Sequence, residues 1–239
     1  MRYKKINFFS ILIIFVLLII FSHKRNFKKQ TLRVNIDFKN EKGNFLDSLM
    51  VNKLLIQRND TAFFIKEDML DLKVVEDLLI SNPMIANADI FRTPQGILNV
   101  RLEERKPIIR IIHNNEDFYV DDFGFKVPLS KKYSARVPIF YGQADNILND
   151  LVNLIQLIKL DSFAKAEIID LKYLNKNYVL GLRSFPFKVI WGKNSKNMEK
   201  IKKLKFLYSY LDNKKSTKLK EVNLIFNKQI VLNYEQNGK

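Results

Sequence analysis

The chain has 239 residues, 47% of them hydrophobic and 28% charged, which describes a folded protein of one medium or two small cores and excludes a disordered chain. It contains no cysteine, so disulfides, thiolate metal sites and a cysteine nucleophile are all excluded. The formal net charge of +16 favours anionic partners, but the basic residues are scattered and no RNA-recognition, homeodomain or zinc-finger pattern accompanies them. They read as a solvated surface.

Residues 6–22 carry no charge and predict a membrane helix of roughly 26 Å, flanked by Lys4 and Lys5 on one side and Lys24 and Arg25 on the other. The rival reading is a cleaved signal peptide; no small-x-small cleavage site follows Phe21, which favours an uncleaved anchor. Charge does not orient it, since Arg2, Lys4 and Lys5 face an equally basic set of His23, Lys24, Arg25, Lys28 and Lys29.

Beyond it, residues 32–38 alternate apolar and polar, the period of a half-buried strand. A short helix over 48–57 carries Leu49, Val51, Leu54 and Leu55, and a second over 72–81 carries Val74, Val75, Leu78 and Leu79 until Asn82-Pro83 stops it. Strands over 85–92 and 97–103 are joined by the turn Thr93-Pro94-Gln95-Gly96. The order β-α-α-β-β predicts a small sheet with two helices on one face.

A second unit follows. It has a strand over 108–113, a hairpin over 119–125 turning at Gly124, and an amphipathic helix over 144–160 with Leu148, Leu151, Val152, Ile155 and Ile158 at helical spacing. Strands over 169–173, 178–182 and 187–191 come next. A helix over 197–211 turns Met198, Ile201, Leu204, Tyr208 and Leu211 to the core, opposite a solvated face of Lys200, Lys202, Lys203 and Lys205. From 222 to 234 the even positions are apolar apart from Lys228 and the odd ones mostly polar, the pattern of one long strand. A hairpin at Asn227-Lys228 is the alternative. A polar tail covers 236–239.

No reaction is legible. His23 and His113 are too far apart in the chain to suggest a zinc site, and Asp121-Asp122 and Glu103-Glu104 are neighbours whose side chains diverge on a strand, so they read as turn and surface residues. Seven scattered glycines assemble no phosphate loop, and Trp191 reads as a core or rim aromatic. Neither a cofactor nor a metal is expected, and the chain reads as a non-enzyme.

Several stretches carry a family resemblance. Asn82-Pro83-Met84-Ile85 with Ala88-Asp89-Ile90-Phe91-Arg92, then Ile97 to Leu102 and the exit Glu104-Arg105-Lys106-Pro107, resemble the POTRA domain of FtsQ/DivIB cell-division proteins, with Met84 standing where tryptophan is usual and the glycine after the first strand displaced to Gly43. Val120-Asp121 with Gly124-Phe125, then Val137 to Gly142, Ile169 to Tyr173 and Val222 to Phe226, are similar to motifs of the family's β domain. The resemblance implies an α+β chain: a cytoplasmic tail over 1–5, an N-terminal transmembrane helix over 6–22, a POTRA domain over 31–107, and a mixed-sheet domain with two helices over 108–235.

It also implies a single-pass protein of the cytoplasmic membrane at the division septum, N-terminus inside and main domains outside. Such a protein is a scaffold holding FtsB-type and FtsL-type partners, while the POTRA domain meets upstream division proteins. The expected docking edge is the last strand, with candidate partner-binding residues Lys193, Val222, Leu224, Phe226, Lys228, Ile230 and Leu232. Lys193, beside the end of the 187–191 strand, would pair with a partner carboxylate for at most ~1 kcal/mol. The alternatives are a membrane-anchored binder of anionic envelope polymer or nucleic acid, and an outer-membrane assembly module.

Overall fold

A computed structural model of the chain describes residues 13–20, 33–39, 45–57, 71–94, 96–211 and 218–235. The chain divides into two compact units, Met1–Glu104 and Arg105–Lys239. Its class is α+β with mixed sheets.

The expected transmembrane helix requires a correction. Helix α1 is described over residues 13–20. At 1.5 Å per residue those described residues span about 12 Å, against about 30 Å of hydrocarbon core. Among the described residues no helix is long and apolar enough to cross a membrane. Residues 6–12, 21 and 22 lie outside the described residues. That finding conflicts with the expected single-pass placement in the cytoplasmic membrane.

The first unit builds a three-stranded sheet in the order β1-β3-β2 from β1 (Arg33–Phe38), β2 (Ile85–Arg92) and β3 (Ile97–Glu104), with α2 (Ser48–Gln57) and α3 (Leu72–Ile80) between β1 and β2 in the chain. Strand β3 runs parallel to β1 and antiparallel to β2. Its alternate residues Leu98, Val100 and Leu102 are buried, and they meet Val51, Leu55, Val75 and Leu79 from the helices. Leu49 and Val74, both expected in the core, are exposed, because each lies off the narrow stripe that a helix this short presents. Asp71 caps α3 by accepting the Lys73 N–H at 2.9 Å. At the end of β3 the buried Glu104 accepts the N–H groups of Phe45 (3.1 Å) and Leu46 (2.7 Å), fixing the chain just before α2. Glu103 points the other way, to Lys39 at 2.9 Å.

The second unit is a nine-stranded mixed sheet in the order β12-β11-β10-β9-β8-β7-β4-β5-β6. Its strands are β4 (Pro107–His113), β5 (Glu116–Asp121), β6 (Lys126–Pro128), β7 (Ile139–Tyr141), β8 (Ile168–Leu174), β9 (Asn177–Leu182), β10 (Lys188–Gly192), β11 (Leu219–Asn223) and β12 (Val231–Tyr234). Pairs β4–β7, β7–β8 and β10–β11 are parallel; the others are antiparallel. One sheet face, with Ile109, Ile111, Phe140, Leu171, Leu180, Val189 and Val222, shares a core with α4 (Leu148–Leu160), α5 (Ser162–Glu167) and α6 (Asn197–Tyr210).

Two expectations change here. The unit has three helices where two were expected: α5 is a short extra helix, capped by Asp161 accepting the Ala164 N–H at 3.0 Å. The run 222–234 is two antiparallel strands, β11 and β12, so the hairpin alternative holds and the long projecting strand does not.

The β5–β6 turn is built on Asp121. Its Oδ1 accepts the N–H groups of Phe123 (3.0 Å) and Phe125 (2.8 Å), while Oδ2 accepts from Arg105 at 2.8 Å. Gly124 takes a φ of 86° inside that turn, a conformation open to glycine at little cost.

A candidate docking edge between the last strand and the last helix

Strand β12 stands at one end of the sheet, with β11 as its neighbour. In register, Asn223 faces Val231, Val222 faces Leu232 and Glu221 faces Asn233. The Glu235 N–H donates to the Lys218 carbonyl at 2.9 Å, so the odd residues of this segment turn their backbone groups toward β11. By alternation Leu232 and Tyr234 turn theirs to the open side. An unpaired edge of this kind is a template for another strand.

Beside the edge runs a groove of about 620 Å³ between α6 and the β11–β12 connection. Phe206, Leu207 and Tyr210 of α6 form its apolar floor with Ile230 and Leu232, and Lys202, Lys203 and Lys228 stand around it. Among the described residues no acidic side chain lines it. Phe206 is 67% exposed and Tyr210 54%, unusual values for aromatic side chains sitting next to one another on a helix. Lys203 Nζ donates to the Phe226 carbonyl, which ties the connection to the helix.

The N-terminal end of α6 is fixed by a polar network. Trp191, fully buried, donates Nε1–H to Asn197 Oδ1 at 2.9 Å, and Asn197 donates to Asn194 Oδ1 at 2.6 Å. Asn194 donates in turn to the carbonyl and the carboxylate of Asp150, both at 2.9 Å, and the Tyr178 hydroxyl reaches Asp150 Oδ2 at 2.8 Å. Burial and the neighbouring carboxylate push the Tyr178 hydroxyl well above its ordinary pKa. Lys200 is buried, against expectation. Its stem packs inward, its ammonium lies 5.5 Å from the Trp191 ring centroid, and Nζ donates to the Lys193 carbonyl at 2.7 Å. Burial, with the nearby Lys203 charge adding to it, lowers its pKa to about 8.

The candidate residues fall into three groups. Val222 and Leu224 are fully buried and support the edge from within the core. Lys228, Ile230 and Leu232 line the groove, and Phe226 is 46% exposed on the connection above it. Lys193 is exposed in the loop after β10, next to Gly192, whose φ of 81° and missing Cβ admit the Ile225 side chain. Sequence reasoning missed Lys202, Phe206 and Tyr210 as a surface. The available signal was their i, i+4, i+8 spacing, a second stripe beside the core stripe of Ile201, Leu204 and Leu211. Met198, expected in that core, is 50% exposed.

Compared with known proteins, residues 106–232 match the family model described as FtsQ/DivIB, C-terminal related. No curated protein matches the chain in sequence.

Proposed function

The chain belongs to the FtsQ/DivIB, C-terminal related family, which gives it a role in cell division; from that premise we propose that it is a docking platform whose β12 edge receives a strand of a partner division protein. The family is one of non-enzymatic division proteins. The observation that carries the reading is the open edge at Leu232 and Tyr234 lying directly against the groove of Phe206 and Tyr210. A strand added there aligns its residues opposite Leu232 and Tyr234 with the helix-bearing face, where apolar side chains enter the groove. The lysines around it favour carboxylates on the incoming segment. FtsB-type and FtsL-type proteins are the partners we assign to this edge. The β-α-α-β-β unit, read as a POTRA domain, is assigned to upstream division proteins.

Affinity capture with the tagged full-length chain, against a chain ending at Asn227, tests the docking reading. The truncation is expected to lose the partner while circular dichroism shows both units still folded. Retention of partner at unchanged affinity by that folded truncation removes the edge from consideration. Depletion of the protein is expected to give long undivided cells; normal septation in depleted cells contradicts the role at the division site.

A further inference from the structure

We infer that the sheet face opposite the helices of the second unit carries a binding site for a small amino dicarboxylate. In the middle of that face Ile139, Asp170, Gly181 and Lys188 stand in register on four neighbouring strands. Gly181 has no side chain, and the Asp170 carboxylate lies over it: a Cβ added there would sit 2.2 Å from Asp170 Oδ2. The result is a depression of about 360 Å³, lined by Asp170, Lys172 and Lys188 together with Tyr141 and the Phe185–Phe187 turn. That volume is at the lower end of the ~300–1,000 Å³ typical of small-molecule sites, and the depression mixes polar and apolar surface.

Among the described residues the charges there form no ion pair within the fold. The Asp170 carboxylate makes no hydrogen bond and no ion pair among the described residues, and neither Lys172 nor Lys188 has a carboxylate within ion-pair distance. The other charged groups on this face are occupied elsewhere: Arg110 holds Asp117, and Glu221, beside Lys188 in register, accepts from Asn233 at 3.0 Å. Lys172 Nζ rests 5.4 Å from the Tyr141 ring centroid. With strands about 4.8 Å apart, the Lys188 backbone is about 10 Å from that of Asp170, and Lys172, two residues along β8, is about 7 Å away. Lysine, aspartate, lysine is a positive-negative-positive array. Its complement is an ammonium between two carboxylates, carried on a short frame that the Tyr141 ring can cover.

Calorimetric titration of the full chain with glutamate, glutarate and 2-aminobutyrate separates the elements of this complement. Glutamate is expected to bind with a Kd of about 1 mM or tighter, and the other two about tenfold more weakly. Asp170→Asn is expected to bring glutamate down to the level of glutarate. Gly181→Ala keeps every charge, and the three atoms nearest its Cβ all belong to the Asp170 carboxyl group, which it pushes aside, so the same loss with an unchanged melting temperature is expected. Equal binding of glutarate and glutamate, no binding of glutamate near 10 mM, or full binding by either variant would overturn the site.

Discussion

The two ends of the nine-stranded sheet solve the same problem in opposite ways. At one end β6 has three residues, begins at Lys126 and ends at Pro128, and Lys126 leans over the Phe118 ring at 4.6 Å. A short strand with a lysine and a proline is a poor template for another strand. At the other end β12 reads Val231-Leu232-Asn233-Tyr234, with neither proline nor lysine, and an apolar groove lies beside it. A protein that blunts one edge and leaves the other usable has a use for the second. That asymmetry, more than the net charge, carries the functional reading.

The largest effect is expected at the protected end, where it should not touch docking. Asp121→Ala leaves Arg105 without its carboxylate and removes both turn hydrogen bonds. Breaking a buried pair costs about 3–5 kcal/mol, which lowers the melting temperature by roughly 10 °C. Partner capture per folded molecule should stay unchanged; a parallel loss of capture would break the contrast between the edges.

Proline substitutions at the open end come next. Tyr234→Pro removes a donor facing outward and no bond to β11, so capture is expected to fall about 10–100-fold with a melting temperature within a few degrees of the parent. Asn233→Pro removes a ladder bond instead, so it should lose stability as well. Equal melting temperatures for the two variants would contradict the assigned alternation.

Phe206→Glu tests the groove alone. Because that side chain is largely exposed, stability should change by no more than about 0.5 kcal/mol, while capture weakens about tenfold in a binding assay. Unchanged capture would confine docking to the backbone edge.

The smallest expected effect concerns Lys200. Its folded pKa, about 8, lies below its unfolded value of 10.5, so between these pH values the unfolded chain holds more protons. This group therefore makes the protein more stable as pH rises through that window. Melting curves of Lys200→Met should lack that component, and identical pH profiles for the two proteins would contradict it.

Much of this architecture was legible in the sequence. Pro83 and Gly96 punctuate the first unit, and its strands and helices fall where the periodicity put them, because each short element buries one clear apolar stripe. The last strands were harder. Alternation from Val222 to Tyr234 continues through the 224–230 connection, so period alone does not show that the chain turns back there. The apolar run at residues 6–22 read as a membrane span on hydrophobicity alone, and the described helix takes in residues 13–20 of it. Lys200 defeated the pattern for another reason: a lysine with a local carbonyl acceptor and an indole beneath it can be buried. The groove residues Phe206 and Tyr210 needed the fold, since the β11–β12 connection and Leu232 meet them only in the folded chain.

Residue-resolved hydrogen exchange of the full chain, alone and with its captured partner, tests strand addition at β12 most directly. The Leu232 and Tyr234 amides are expected to gain strong protection on binding, while Asn233, already turned toward β11, changes little. Partner binding that leaves Leu232 and Tyr234 unprotected, with protection arising elsewhere, would contradict docking at this edge.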